Sequence, residues 1–141
     1  MRRKELCPDF FAHKKRGAYS YGISVDLGEQ EMIFLTGLAA LDEWGNPKYP
    51  GDFAKQTEYI FERIKDLLGE ANATIDDIVR VVIYLTDIEK FEEVAKIRNR
   101  YLKEVKPVST LVEVKGIVKE GCDVEIEATA IRFKDSSNDL I

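Results

Sequence analysis

Apolar positions in this chain recur with two periods, and the switches between them mark out the elements. Residues 18–25 and 31–37 read as strands joined by Asp26-Leu27-Gly28-Glu29-Gln30, a short polar turn with a glycine available for positive φ, so the two predict a hairpin. Residues 41–51 carry Trp44-Gly45-Asn46-Pro47 and Tyr49-Pro50-Gly51 and predict a loop dense in breakers. Asp52 then caps a helix in which Phe53, Ile60, Phe61, Ile64, Leu67 and Leu68 fall on one stripe. Thr74-Ile75-Asp76-Asp77 closes that segment and feeds a strand over residues 78–86, β-branched and apolar on both faces apart from Arg80. A second helix over residues 88–104 places Phe91, Val94, Ile97, Tyr101 and Leu102 inward and cannot continue through Pro107. Two strands close the chain. In the last of them Val124, Ile126, Ala128 and Ala130 face one side, while Asp123, Glu125, Glu127 and Thr129 face the other.

Strand, strand, helix, strand, helix, strand, strand is the order of an α+β domain, with both helices packed on one face of a mixed sheet. The strand over residues 78–86 is apolar on both sides, so its second face calls for another subunit. At 141 residues, 45% of them hydrophobic and 33% charged, the chain fits one domain over residues 1–141, with its core at about 17–133. The polar stretch over residues 135–141 predicts an unordered tail.

Charge and cysteine usage narrow the function. A net charge of -5 argues against a nucleic-acid partner, which would be met by a basic face. The chain lacks an apolar run of the roughly 18 residues that a membrane-spanning helix needs. Met1-Arg2-Arg3-Lys4 leads into charged and aromatic residues rather than a signal sequence, so a cytoplasmic protein is expected. Cys7, Cys122 and the single His13 have no metal-ligand spacing, so neither a metal nor another cofactor is expected. Asp123 beside Cys122 opposes thiolate formation and favours a turn cysteine over a nucleophile.

Several ordered pieces together resemble the YjgF/Rid family, the reactive intermediate deaminases. Gly17-Ala18-Tyr19-Ser20-Tyr21-Gly22 is similar to the family's Gly-Pro-Tyr-Ser-Gln opening, and Ile33-Phe34-Leu35-Thr36-Gly37-Leu38 to its Ser-Gly-Gln strand end. Gly51-Asp52-Phe53-Ala54-Lys55-Gln56-Thr57 resembles its helix start, and Ile83-Tyr84-Leu85-Thr86-Asp87 its central strand end. Pro107-Val108-Ser109-Thr110-Leu111-Val112-Glu113-Val114 and Val124-Glu125-Ile126-Glu127-Ala128 resemble its closing strands, Pro-x-Arg-Ser-x-Val-x-Val and Glu-Ile-Glu-Ala. The resemblance implies a chorismate-mutase-like fold, a homotrimer, and small-metabolite clefts between subunits. The implied reaction hydrolyses a reactive enamine or imine to a keto compound and ammonia.

The resemblance also assigns a site. Tyr19, Thr36, Gly37 and Glu125 match cleft positions, with Glu125 the candidate general base or water-positioning group. An exterior acidic strand residue is the competing reading of Glu125, and a strand aromatic that of Tyr19. Three positions depart from the pattern. Ser109 stands where the family's carboxylate-gripping arginine is expected, Ala95 where a cleft asparagine is, and Leu111 where cysteine or threonine is common. An arginine donates two charge-assisted bonds to a carboxylate; a serine offers one neutral donor. Arg98 lies one turn beyond Ala95 and is a candidate replacement cation, against an ordinary surface arginine paired with Glu93. Lys106 and Lys115 are weaker candidates. Two classes stay open: a deaminase-like enzyme with altered substrate, and a non-catalytic metabolite-binding or regulatory homotrimer.

Overall fold

The computed structural model describes residues 2–13 and 17–134, so the predicted tail lies outside the described residues. The strands are β1 (Arg3–Leu6), β2 (Gly22–Asp26), β3 (Gln30–Leu35), β4 (Leu38–Ala39), β5 (Ile78–Leu85), β6 (Val108–Glu113) and β7 (Val124–Phe133). The helices are α1 (Asp9–Ala12), α2 (Phe53–Glu70) and α3 (Phe91–Leu102). All strands join one mixed sheet in the order β1-β2-β3-β7-β5-β6, with β4 beside β7. This is the expected α+β arrangement, with α2 and α3 as its two main helices.

Local chemistry sets the element ends. The Asp52 side chain accepts a hydrogen bond from the Lys55 N–H and so caps α2. Thr74 and Asp77 form a reciprocal capping box that turns the chain into β5. The α2 stripe, including Ile60, Phe61, Ile64 and Leu68, is fully buried together with Ile83 on β5 and Val124 and Ile126 on β7. Burial of this shared apolar surface is what holds the helix layer to the sheet.

The predicted hairpin is present as β2 and β3, but β2 starts only at Gly22. Tyr19 therefore lies outside the strands, which disposes of the strand-aromatic reading. The two closing strands are not neighbours. β6 pairs parallel to β5, while β7 pairs antiparallel to β5 on its other side. A parallel pair requires the crossover through α3, and the loop after β6 must then pass β5 to reach β7. That loop brings Ile117, Val118 and Lys119 towards Glu125.

Register across the central strands fixes which side chains share a face. Phe34, Thr129, Arg80 and Val108 form one row, and Glu125, Tyr84 and Val112 another. These lie opposite the buried side chains of β7, on the face away from the helices. Val108 is 68% exposed and Phe34 44% exposed on that face. Ser109, Leu111 and Glu113 pair with Val81, Ile83 and Leu85 and face the helix layer instead.

Candidate functional site

Glu125 and Ser109 lie on opposite faces of the sheet, with β5 between their strands. Two cavities correspond to them. The first, about 520 Å³, opens where β3 gives way to β4 and is lined by Tyr19, Tyr21, Thr36, Gly37, Glu125 and the loop residues Ile117 to Lys119. Ala39 on β4 pairs with Glu125 on β7, so the strand ladder itself positions the carboxylate. Gly37 leaves room for this approach: a Cβ there would lie 2.9 Å from the Glu125 carboxyl carbon and push the carboxylate aside. Tyr19, 54% exposed, stands edge-on to Tyr21 at the rim.

Burial raises the Glu125 carboxyl above its ordinary value of 4.5, and the charge of Glu127 raises it further. The other two acidic residues of this strand face are engaged. Tyr84 donates a short hydrogen bond from its hydroxyl to Glu127, which pushes the phenol up. Asp123 accepts from the Gln56 Nε2 at 2.9 Å and from the Gly51 N–H at 3.0 Å. Glu127 therefore pairs with Tyr84, while Arg132 bonds Glu31 at 2.8 Å.

Gln56 is a buried, hydrogen-bonded amide that the sequence pattern left unmarked. Its side chain is 0% exposed, and it both donates to Asp123 and the Tyr49 carbonyl and accepts from the Asp123 N–H at 2.8 Å. A buried amide satisfied at both ends ties α2 to the start of β7, two residues before Glu125. Its period within the helix is that of a core residue, so only its polarity on an apolar stripe signalled it.

The second cavity, about 530 Å³, lies between the end of α3 and the start of β6 and is lined by Arg98, Asn99, Lys103, Lys106 and Ser109 among others. Arg98 donates from Nη1 to the Ser109 hydroxyl at 3.3 Å and from Nε to the Asn99 Oδ1 at 3.1 Å. Glu93 pairs with Lys90 at 3.3 Å. The guanidinium is thus held at the serine where the family pattern has arginine. Ala95 is 7% exposed and packed on α3, and Leu111 packs against the core. Within one chain neither lines either cavity; the same holds for Lys115. Arg63 lines the first cavity but is engaged, stacked on the Phe10 and Tyr59 rings and 3.0 Å from Asp66.

Cys122 is buried against the Ala40 carbonyl, as the turn reading expected. Among the described residues, no group of three or more His, Cys, Asp or Glu is placed to hold a metal, and no helix is long and apolar enough to cross a membrane.

Comparison with known proteins places this geometry. The chain is 36% identical over 124 residues to a RutC family protein of Pyrococcus abyssi, covering 88% of this chain and 92% of the relative. It is 29% identical over 99 residues to the 3-aminoacrylate deaminase RutC of Acinetobacter baylyi, covering 70% of this chain and 78% of that enzyme. The crystal structure of a Mycobacterium tuberculosis member of the YjgF/YER057c/UK114 family superposes with a TM-score of 0.73 at 30% identity, covering 91% of this chain and 98% of that one. The profile of the family described as endoribonuclease L-PSP matches residues 12–132. The chain therefore belongs to this family, the YjgF/Rid family that its closing strands resemble.

Proposed function

We propose that the protein hydrolyses a small enamine or imine acid to the keto acid and ammonia, in a site completed between two chains of a homotrimer. The observation that carries this reading is the Glu125 carboxyl, half-buried beside Gly37 with a raised proton affinity. A partly buried carboxylate with a raised pKa is better suited to move a proton both ways than an ordinary one. Glu125 takes a proton from water as the water oxygen bonds to the imine carbon, and passes that proton to the nitrogen to give the carbinolamine. It then takes the hydroxyl proton and delivers it to the amine as the C–N bond breaks, leaving the keto acid and ammonia with the carboxylate restored. Tyr19 and Thr36 line the cavity where the polar intermediate would sit.

Arg98, positioned by Ser109 and Asn99, is the carboxylate clamp in this reading. It faces the helix side of an edge strand, whereas Glu125 faces the other side of the sheet two strands away. One chain therefore cannot present both to a small acid. Exposed Val108, Val112 and Phe34 on the open face offer apolar surface for the contact between chains. The Acinetobacter relative is a 3-aminoacrylate deaminase, which supports the reaction class.

Ser109 itself favours a second reading, a non-catalytic metabolite-binding or regulatory homotrimer. A coupled assay with freshly generated aminoacrylate separates the two. Acceleration over buffer that is lost in Glu125→Gln supports the enzyme; no acceleration at any pH from about 5 to about 9 leaves only the binding protein.

A further inference from the structure

The Glu125 cavity has a wall that the reaction does not require. Phe10 and Phe11, carried by the short helix α1, line it together with Tyr19 and Tyr21. Their rings run in sequence. Phe10 meets Phe11 edge-on with centroids 5.1 Å apart, Phe11 lies 4.7 Å from Tyr21, and Tyr21 meets Tyr19 edge-on at 6.0 Å. Offset and edge-to-face contacts are the arrangements aromatic rings prefer, and a ligand ring entering the cavity would join the series in the same way. The Arg63 guanidinium, which lines the same cavity, lies 4.6 Å from the Phe10 ring and is held by Asp66 at 3.0 Å.

The size of the cavity points the same way. The cavity, at about 520 Å³, falls within the range of about 300 to 1,000 Å³ typical of sites that enclose larger organic ligands. Thr36, Glu125, Arg63 and Lys119 supply its polar lining, and the aromatic wall supplies much of the apolar remainder.

We propose that this cavity selects substrates with an aromatic side chain, and that Phe10 and Phe11 are the specificity-determining residues. The inference rests on the reading of Glu125 as the reactive group, with the substrate's reacting carbon at Glu125 and its ring against the wall. Phe10 is the residue to change, because Phe11 is buried in the core and its truncation would endanger the fold.

The test titrates phenylpyruvate and pyruvate, keto acids with and without a ring, into the wild-type protein and Phe10→Ala, with melting temperatures recorded alongside. Phenylpyruvate is expected to bind about tenfold or more tightly than pyruvate, the scale of burying a phenyl group. Phe10→Ala should bring the two within about threefold by weakening phenylpyruvate alone. A Phe10→Leu variant, which keeps apolar bulk without a ring, is expected to recover only part of the preference. Equal wild-type affinities, no binding of either acid, or a preference unchanged in Phe10→Ala overturns the inference. Imines generated from phenylalanine and alanine separate it from the enzymatic reading. Faster turnover of the alanine imine contradicts the aromatic preference and leaves the deaminase intact. An aromatic binding preference with neither imine turned over supports the specificity and contradicts the deaminase.

Discussion

At Glu125 the residues that the family resemblance names, Tyr19, Thr36, Gly37 and the carboxylate itself, meet in one cavity. At Ser109 the expected arginine is missing, and an arginine from the neighbouring helix hydrogen-bonds the serine that stands there. The contrast separates two kinds of position. Glu125 is held by strand register with Ala39, by the close approach of Gly37 and by the Gln56–Asp123 link. A short carboxylate held in that way leaves no second backbone position able to present it. A carboxylate clamp is different, because an arginine side chain is long and its fork can reach the same space from another element.

The largest effect is expected at the constrained half. Glu125→Gln should lower kcat by about 10²- to 10⁴-fold, the usual contribution of a positioned general base, in the aminoacrylate assay. Its stability should move the other way. The wild-type carboxyl has a raised folded-state pKa, so its contribution favours the folded chain below the unfolded value and is lost as pH rises through the folded one. Glu125→Gln removes that loss. Its melting temperature should equal or exceed wild type at pH 7, with the advantage vanishing below pH 4.5, the ordinary value for this group. For the same reason the acid limb of kcat/KM should fall above 4.5.

Next in size is Gln56→Leu, which keeps the helix stripe apolar but leaves Asp123 without its buried donor. Urea unfolding should show a loss of about 1–3 kcal/mol, the cost of an unsatisfied buried polar group. If Gln56 only fills space, stability will be unchanged and the link to Glu125 is not a positioning device.

Arg98→Ala addresses the remodelled half and should raise KM by about tenfold or more with little change in kcat, the scale of a charge-assisted hydrogen bond. Ser109→Arg placed on the Arg98→Ala background should recover most of that loss, since it returns the cation to the strand. Ser109→Arg alone should gain little, because two guanidiniums would then compete in one space. The smallest change is expected for Lys115→Ala, whose side chain lines neither cavity, in the same assay.

The fold was legible where burial is one-sided. The α2 stripe and the alternation of Val124, Ile126, Ala128 and Ala130 each carry a single period, because one face meets the core and the other does not. β1 was not legible, since three of its four residues, Arg3, Lys4 and Glu5, are exposed and charged on an edge strand. β4 is too short to show any period. The separation of β6 from β7 was hidden because proximity in sequence does not determine neighbours in a sheet with a parallel crossover.

The site was legible unevenly for related reasons. Glu125, Thr36 and Gly37 sit on or beside strands whose motifs the family shares, so resemblance located them. Arg98 was within reach of a spacing argument, one turn beyond Ala95, but its contact with Ser109 depends on how α3 packs over β6. Phe10 and Phe11 stand in a four-residue helix with no period to extend, and only the folded chain brings them to the cavity. Leu111 and Ala95 match family cleft positions in sequence, yet within a single chain both are packed rather than cavity-lining.

The central claim is that Glu125 of one chain works with Arg98 of another. Co-refolding Glu125→Gln with Arg98→Ala tests it most directly, because a mixed oligomer contains clefts in which both residues are wild type. The account predicts aminoacrylate turnover in the mixture well above either parent variant, together with a low KM in that recovered fraction. Turnover no greater than the average of the two parents, in oligomers shown to be mixed, would contradict a site shared between chains.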